Sequence, residues 1–413
     1  MRELAVLLCL FPLLMSLHLY VGSTQIPGFF SVALLFLYIF LFEKTLPQEY
    51  LVPCLTLLIV PAFSLYGNDL SYFSNRMLGF LALTYSLAAA FAFFFVCKQA
   101  DAGKLRKILH GVILFLLIVV LVERLTSIDT FFSSVRSFIY SGRGIYDAGE
   151  RDVSMVGFVR PMFIFSEPSH LSQAIGTLIL FASILSPKTL LNVAMYLSAL
   201  AVSYMLIGSP TTVLYLLCIG YVSRSAFRRG HLPILLFAPL ITCLFLMLTT
   251  GISIPGLARF ERILEGKDSS QALRLLIPLE VTKQVIYEYP LLGVGISGSE
   301  IAREQFDKGF RKYGRSLSLY KDSWHRSIHS ALLNIFISFG LIGGVVFLFS
   351  IFMVFSKLTN FETAIDTYVL ISLIQLSIGD IVTPRLWFLS FGLLAFISIT
   401  ATLDQKTQPS HRA

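Results

Sequence analysis

The amino-acid sequence predicts an all-α, polytopic membrane protein that forms a single membrane domain over residues 1–413. Of these residues 56% are hydrophobic and only 14% are charged, a composition far too apolar for soluble domains of this total length. The apolar residues also gather into runs of about 20, the length that an α-helix needs to cross roughly 30 Å of bilayer hydrocarbon. Composition and run length therefore agree on a helical protein that is solvated by lipid.

About twelve such runs follow one another along the chain, and each is predicted to form a membrane helix. The first run follows only Met1, Arg2 and Glu3 and has no convincing small-residue cleavage site, so we expect a retained anchor and not a removed signal peptide. All five cysteines lie within or at the ends of the runs, which indicates neither a disulfide framework nor a metal cluster. The runs centre on 4–22, 28–43, 50–66, 78–97, 108–124, 169–186, 189–207, 210–223, 232–250, 329–356, 363–379 and 385–402.

The lysines and arginines of the short loops predict that both termini are cytoplasmic. In this orientation the short outer loops hold little more than Arg76 and Arg385, as the positive-inside rule requires. Two long segments, 125–168 and 251–328, then lie outside with about half of all lysines and arginines, because long loops translocate irrespective of charge. The short cytoplasmic segments carry most of the short-loop cations, among them Lys98, Lys104, Arg106, Lys107, Arg224, Arg228 and Arg229.

The arginines of the two long loops indicate contact with an anion on the outer face, although a solvated loop of mixed charge is the simpler alternative. Arg143, Arg151, Arg160 and Arg274 are the candidates, because arginine presents a planar fork that suits phosphate oxygens. Each of them could instead be a solvated side chain or reach the lipid headgroups. The net charge of +8 does not indicate a nucleic-acid partner, since the cations are distributed among membrane segments.

The second long loop is predicted to contain amphipathic helices. Residues 269–290, SSQALRLLIPLEVTKQVIYEYP, have a loose helical spacing of apolar side chains that Pro278 interrupts. This indicates a helix or a helix pair across the outer surface. Further on, DSWHRSIHSALL indicates a helix start with Asp322 or Ser323 as the N-cap.

His325 and His329 are four residues apart, which would place them on one helix face and matches metal-ligand spacing. Arg326 follows the first of them and no H-E-x-x-H pattern exists, so we expect no metal. A neutral imidazole near the membrane surface could accept a proton from a sugar hydroxyl or orient that hydroxyl. The simpler alternative is a pair of hydrogen-bonded boundary residues.

Glu167 lies between the first long loop and an apolar run, in the stretch FVRPMFIFSEPSHLSQAIG. Pro168 suits the first turn of a helix, and a carboxylate at that end is stabilised by the helix dipole. Glu167 is therefore either a helix cap or, with Arg160 nearby in sequence, a general base for glycosyl transfer.

GVGISG, residues 293–298, fits the G-x-G-x-x-G pattern but does not indicate a dinucleotide site. Nothing before it reads as a parallel strand and no βαβ unit surrounds it. Pro290 ends the preceding helical segment and glycine permits positive φ, so the sequence predicts a glycine turn here.

One motif resembles a known family. His329, Ser330, nine further residues, Gly340 and Gly343 fit H-[N/S/Q]-x9-G-x-x-G, which is similar to the superfamily of O-antigen ligases and Wzy-type O-antigen polymerases. Three further stretches fall in the family's order: RPMFIFSEPS, GSPTTVLYLL and ALRLLIPLEVTKQVIYEYPLLGVG. Relatives often show a Ser-Arg-Thr-Gly-like turn at the second stretch, but this chain has no arginine there, so that stretch receives no role.

The resemblance implies a GT-C-like helical glycosyltransferase in the bacterial inner membrane, with two large periplasmic loops and a periplasmic active site. Its substrate would be an undecaprenyl-pyrophosphate-linked glycan, used without nucleotide sugar, metal or cofactor. Arg160 and Arg274 would bind the pyrophosphate, and His329 would serve the acceptor hydroxyl or the leaving group. Either Glu167 or His329 would be the base. The supporting candidates are His325, Arg326, Arg143 and Arg151, and the candidate partners are membrane lipids, a chain-length regulator and a flippase.

Three activities remain open at this point. The glutamate of SEPS resembles polymerases that extend O-antigen, whereas ligases, which transfer the polysaccharide to lipid A-core, tend to have asparagine in this site. A lipid-linked oligosaccharide flippase would instead need pseudo-repeats and cations deep within its helices. Here the ionisable residues concentrate at the predicted outer face, which argues against the flippase, and the glutamate of SEPS favours the polymerase over the ligase.

Overall fold

The structure, a computed structural model, describes residues 1–21, 24–43, 55–66, 69–126, 128–140, 145, 149, 152–153, 157–224, 276–315, 330–375 and 381–407. These residues are mostly α-helical, as the sequence predicts. The helices are α1 (Arg2–Leu14), α2 (Phe29–Tyr38), α3 (Ile59–Ser64), α4 (Phe73–Lys98), α5 (Ala102–Leu125), α6 (Asp129–Ile139), α7 (Pro168–Ile184), α8 (Leu190–Ile207), α9 (Thr211–Val222), α10 (Ile277–Glu288), α11 (Arg303–Lys312), α12 (Ala331–Leu358), α13 (Phe361–Ile374) and α14 (Pro384–Thr407).

Five helical segments of the described chain are long and apolar enough to cross a membrane, so the chain is a membrane protein. They are Leu70–Lys98, Ala102–Leu125, Leu190–Ile207, Ala331–Leu358 and Pro384–Thr402. The predicted number of about twelve spans stays a prediction. One of the predicted runs, 232–250, lies outside the described residues.

The first apolar run, 4–22, does not form the single helix that the sequence predicts. Helix α1 ends at Leu14, and an antiparallel hairpin of β1 (His18–Val21) and β2 (Thr24–Pro27) follows. Ser16 adopts φ 57°, a left-handed conformation that ends a right-handed helix.

Pro278 lies in the first turn of α10, where its missing N–H costs nothing, so a helix begins at the predicted break. The start of α12 differs from the prediction. Helix α12 has Ser330 as its N-cap, whose hydroxyl accepts a hydrogen bond from the N–H of Leu333 at 3.4 Å. The predicted N-caps, Asp322 and Ser323, lie outside the described residues.

The chain divides into two compact units. The first contains residues 1–34, 97–265 and 399–413, and α7 lies at its centre. Every residue of α7 except His170 is buried, against α1, α5, α8 and α9. Two hydroxyl pairs join α7 to α9, because a buried hydroxyl needs a partner: Ser172 with Thr212 at 2.9 Å, and Thr177 with Tyr215 at 2.8 Å.

The second unit, residues 35–96 and 266–398, is organised around a break in α12. Gly340 adopts φ 69° and ψ −172°, which interrupts the helix and releases backbone groups on both sides of it. The turn 290–295 bonds to these groups. The amides of Leu341 and Gly343 donate to the carbonyls of Pro290 and Leu291, both at 2.9 Å. In return, Val294 and Gly295 donate to Ile337 and Ser338 at 3.0 and 2.8 Å.

This arrangement, the Gly293–Gly340 interlock, explains why both segments are rich in glycine. Gly293 adopts φ 59° and faces the backbone of α12 at the break. A Cβ atom on Gly340 would lie 2.7 Å from both the amide nitrogen of Gly293 and the carbonyl oxygen of Tyr289. The predicted glycine turn is thus confirmed. Its function in the fold is to satisfy backbone groups that lipid could not.

Arg76 supports the interlock from α4. The sequence placed it in a short outer loop, but its side chain is completely buried in the first turns of α4. Nε and Nη2 donate to the carbonyl oxygen of Val294 at 3.2 and 3.1 Å, and Nη1 donates to that of Asp69 at 2.9 Å. The charge of Arg76 is therefore used to bind backbone carbonyls.

Helices α10 and α11 pack through an apolar cluster in the same unit. Phe306 and Phe310 of α11 are buried against Val281 and Val285 of α10. At the edge of this cluster, the ammonium of Lys312 donates to the carboxylate of Glu280 at 2.6 Å, a distance typical of a charge-assisted bond. This bond, with a second from Gln284, lowers the pKa of Glu280.

Candidate functional site

Four helices of the first unit place their ends together. Arg124, in the last turn of α5, donates to the carbonyls of Met205 and Leu206 in the last turn of α8, at 2.6 and 2.9 Å. The pair Ser172 and Thr212 joins the first turns of α7 and α9. We call this region of the first unit the site end, because the loop that carries Arg160 and Glu167 enters α7 here.

Glu167 occupies the N-cap position of α7 without capping it. Its backbone is extended, Pro168 follows in the first turn, and no side-chain cap hydrogen bond forms. Instead the hydroxyl of Ser169 donates to Oε2 of Glu167 at 2.8 Å. The side chain of Glu167 is half-buried. The carboxylate of Glu167 thus lies at the helix N-terminus without a side-chain cap hydrogen bond to α7, and its role as a base stays a prediction.

Arg160 is held by a carboxylate that the sequence did not single out. Its Nε and Nη2 lie 2.8 and 2.7 Å from Oδ1 of Asp152, and its own N–H donates to Oδ2 of Asp152 at 3.3 Å. The side chain of Asp152 is 2% exposed and that of Arg160 is 11% exposed. Arg160 is thus an oriented, largely buried cation and not a solvated one. An anion that binds to Arg160 would find its guanidinium already paired with the carboxylate of Asp152.

The loop between these two residues is anchored by charges from α5 and α6. The carboxylate of Glu123 accepts hydrogen bonds from the N–H groups of Met162 and Phe163, at 3.2 and 2.7 Å. Arg136 donates to the carbonyl oxygen of Phe163 at 2.7 Å and lies 3.4 Å from Glu123. Sequence reasoning missed both residues. The available signal was a glutamate within the last turn of an apolar helix, where a charge needs a partner.

Further polar groups lie beside this loop. Oγ of Ser166 lies 2.8 Å from Nδ1 of His170, one turn into α7. The guanidinium of Arg124 stacks over the ring of Phe158 at 3.4 Å. The site end therefore collects three arginines, three carboxylates and a histidine around a single loop, although the sequence predicted only Arg160 and Glu167 among them.

The remaining predicted site residues lie outside the described residues. They are His329, Arg274, His325, Arg326, Arg143 and Arg151. Their roles stay predictions. The structure describes Arg160 and Glu167, which stand on either side of Phe163 in one anchored loop.

Residues 173–348 match the model of a protein family described as O-antigen ligase. This segment is therefore similar to the O-antigen ligase family. The match confirms the resemblance to the superfamily of ligases and polymerases, which was carried by the motif ending at Gly343. No curated protein and no solved structure matches the chain.

The O-antigen ligase segment contains all of α8 and α9 and the complete Gly293–Gly340 interlock. Arg274 and His329 also fall within it, whereas Arg160 and Glu167 precede it. The family points to enzymatic transfer of a lipid-linked glycan in the membrane, an activity that ligases and polymerases share.

Proposed function

We propose that this protein polymerises oligosaccharide repeat units that are linked to undecaprenyl pyrophosphate, at the periplasmic face of the bacterial inner membrane. The observation that carries the proposal is the anchored loop of the site end, which presents a carboxylate, Glu167, and an oriented arginine, Arg160. The match of residues 173–348 to the O-antigen ligase family model supplies the class of substrate.

The reaction is a metal-independent transfer with inversion at the anomeric carbon. An acceptor sugar hydroxyl attacks that carbon, the new carbon–oxygen bond forms, and the bond to the pyrophosphate oxygen breaks with its electron pair. The proton of the hydroxyl passes to a base, for which Glu167 and His329 are the candidates. Undecaprenyl pyrophosphate leaves as an anion, so a cation placed beside it lowers the barrier.

Arg160 and Arg274 are the proposed ligands of the pyrophosphate. The ion pair with Asp152 orients the guanidinium of Arg160 before substrate arrives, which reduces the cost of ordering a flexible side chain. The hydrogen bond from Ser169 likewise fixes the carboxylate of Glu167. In this account His325, Arg326, Arg143 and Arg151 keep supporting roles, and the chain-length regulator and the flippase are separate partner proteins.

A second candidate function is transfer of the finished polysaccharide to lipid A-core. The family description, O-antigen ligase, favours it. The glutamate of SEPS favours the polymerase, because a carboxylate can serve as a base and the asparagine that ligases tend to have cannot. Transport of the lipid-linked repeat is the third alternative.

The glycolipids of a strain that lacks the gene distinguish these functions. If the protein is the polymerase, lipid A-core carries single repeat units and no ladder of longer chains. A missing ligase would instead leave long chains on undecaprenyl pyrophosphate. A missing transporter would leave single repeats on the cytoplasmic face, out of reach of an added glycosidase. Mass analysis of lipid A-core and of the lipid-linked pool separates the three, and either of the last two results contradicts the proposal.

A further inference from the structure

We infer that Glu123 and Arg136 are positioning residues, which hold the loop of the site end in a strained conformation that sets the places of Arg160 and Glu167. This inference rests on the proposed function. The pair acts through the backbone of Met162 and Phe163, between the two site residues.

The strain lies at Phe163. Its φ is 50°, a left-handed conformation that a residue with a bulky side chain rarely adopts. Such a residue persists only where the surrounding structure over-determines it, and strain of this kind clusters at functional sites. Phe163 lies three residues after Arg160 and four before Glu167. A different backbone conformation at Phe163 would redirect the chain on both sides and move both site residues.

The hydrogen bonds that fix this conformation come from buried charges. The carboxylate of Glu123 accepts hydrogen bonds from the successive N–H groups of Met162 and Phe163. The guanidinium of Arg136 donates to the carbonyl oxygen of Phe163, which follows them in the chain. Both side chains are 2% exposed. The hydroxyl of Tyr140 lies 3.2 Å from the carbonyl oxygen of Ile164, but its shorter hydrogen bond, at 2.8 Å, goes to the carbonyl oxygen of Met15. Glu123 and Arg136 thus supply the principal side-chain hydrogen bonds to Met162 and Phe163.

A role in joining α5 to α6 alone does not account for this geometry. Arg136 reaches Asp129 of its own helix at 2.8 Å but lies 3.4 Å from Glu123, a weaker contact. The shortest contact of Glu123 is to the amide of Phe163, at 2.7 Å. The ring of Phe163 already packs against Phe132, with centroids 5.0 Å apart, so burial of the ring does not need the carboxylate. The shortest hydrogen bond of Glu123 is directed at the loop, and Arg136 divides its short bonds between the loop at Phe163 and Asp129 of its own helix.

The test uses the full chain in nanodiscs, with turnover measured on undecaprenyl-pyrophosphate-linked repeat units. We expect Glu123→Gln to lower kcat about 10-fold or more, with a KM within about 3-fold of wild type, because a small misplacement of catalytic groups has effects of this size. Glu304→Gln is the matched control, since Glu304 is an exposed carboxylate whose partner is Lys308 on the same helix.

Relief of the strain at Phe163 gives a second test. If Glu123 and Arg136 only stabilised the fold, glycine and alanine at position 163 would have the same effect on turnover. Phe163→Gly and Phe163→Ala remove the same ring, but only glycine adopts positive φ without strain. In the Glu123→Gln background, the Phe163→Gly variant should turn over at least about 3-fold faster than the Phe163→Ala variant. Glycine adopts the positive φ without strain, so the loop keeps its conformation with fewer hydrogen bonds. Equal turnover of the two double variants, or wild-type turnover of Glu123→Gln, overturns the inference.

Hydrogen exchange separates this inference from the proposed function. The amides of Met162 and Phe163 donate directly to Glu123, so they should exchange at least about 10-fold faster in Glu123→Gln than in wild type. Unchanged exchange contradicts the inference even if the enzyme proves inactive on these repeats. Absence of turnover in the wild-type protein contradicts only the proposed function.

Discussion

Glu167→Gln is expected to lower the rate of chain extension about 100-fold or more, because general base catalysis contributes about 10²- to 10⁴-fold. The amide keeps the shape of the carboxylate and retains an oxygen that can accept the hydrogen bond from Ser169. It loses the ability to take a proton from a sugar hydroxyl. The variant should therefore reach wild-type levels in the membrane and fail in the reaction, measured as the ladder of repeat lengths in a strain without the native gene.

Glu362→Gln is the matched control for this variant. Glu362 also lies in the first turn of an apolar helix, α13, and is exposed. If a negative charge at a helix N-terminus were the only role of Glu167, both substitutions would have the same small effect on stability and neither would change the ladder. A normal ladder in Glu167→Gln would show that Glu167 is not the base. His329→Ala, Arg274→Ala and Arg160→Ala complete the set, and normal ladders in all four variants would refute the proposed site.

Gly340→Ala and Gly293→Ala are each expected to destabilise the protein by roughly 3 kcal/mol or more. A left-handed conformation costs an alanine about 1–2 kcal/mol, and each interlock hydrogen bond that is lost adds about 1 kcal/mol. The added methyl group would also displace backbone, because its neighbours at Gly340 are the amide of Gly293 and the carbonyls of Tyr289 and Pro290. All three neighbours are backbone atoms and none is the flexible end of a side chain, so the clash cannot be relieved locally.

Thermal unfolding in detergent, followed by the fraction of protein that remains monodisperse, measures this destabilisation. Gly111→Ala is the control. Gly111 lies within α5, and among the described residues no atom lies within 4 Å of the position of an added Cβ. Alanine in a helix interior is favoured over glycine by roughly 0.5–1 kcal/mol, so this control should unfold at the same or a higher temperature. A wild-type midpoint in either Gly340→Ala or Gly293→Ala would contradict the interlock.

Five of the predicted runs form helices long and apolar enough to cross a membrane, and the sequence could predict them because their signal is local. A run of about 20 apolar residues needs no information from elsewhere in the chain to be recognised as a span. The ends of these helices are less predictable. Ser16 ends α1 inside an apolar run and Gly340 breaks α12, because hydrogen bonds formed in the folded chain decide both conformations.

The site illustrates the same limit. Arg160 and Glu167 could be selected from residue type and position, but their immediate partners could not. Asp152 is an unremarkable acidic residue in a polar loop, and nothing in its local sequence indicates that it binds Arg160. The contact of Glu123 with the amide of Phe163 joins residues 40 positions apart. Such pairings follow from the packing of α5, α6 and α7, which periodicity alone does not determine.

Reconstitution of the purified full chain tests the central claim most directly. The protein is placed in liposomes with radiolabelled repeat units on undecaprenyl pyrophosphate as the only sugar substrate, without nucleotide sugar and without lipid A-core. A polymerase produces a ladder of lengthened chains and releases undecaprenyl pyrophosphate in step with each added repeat, and Glu167→Gln slows both about 100-fold or more. If the repeats stay single until lipid A-core is added, and the label then moves to that acceptor, the protein is a ligase and the account is contradicted.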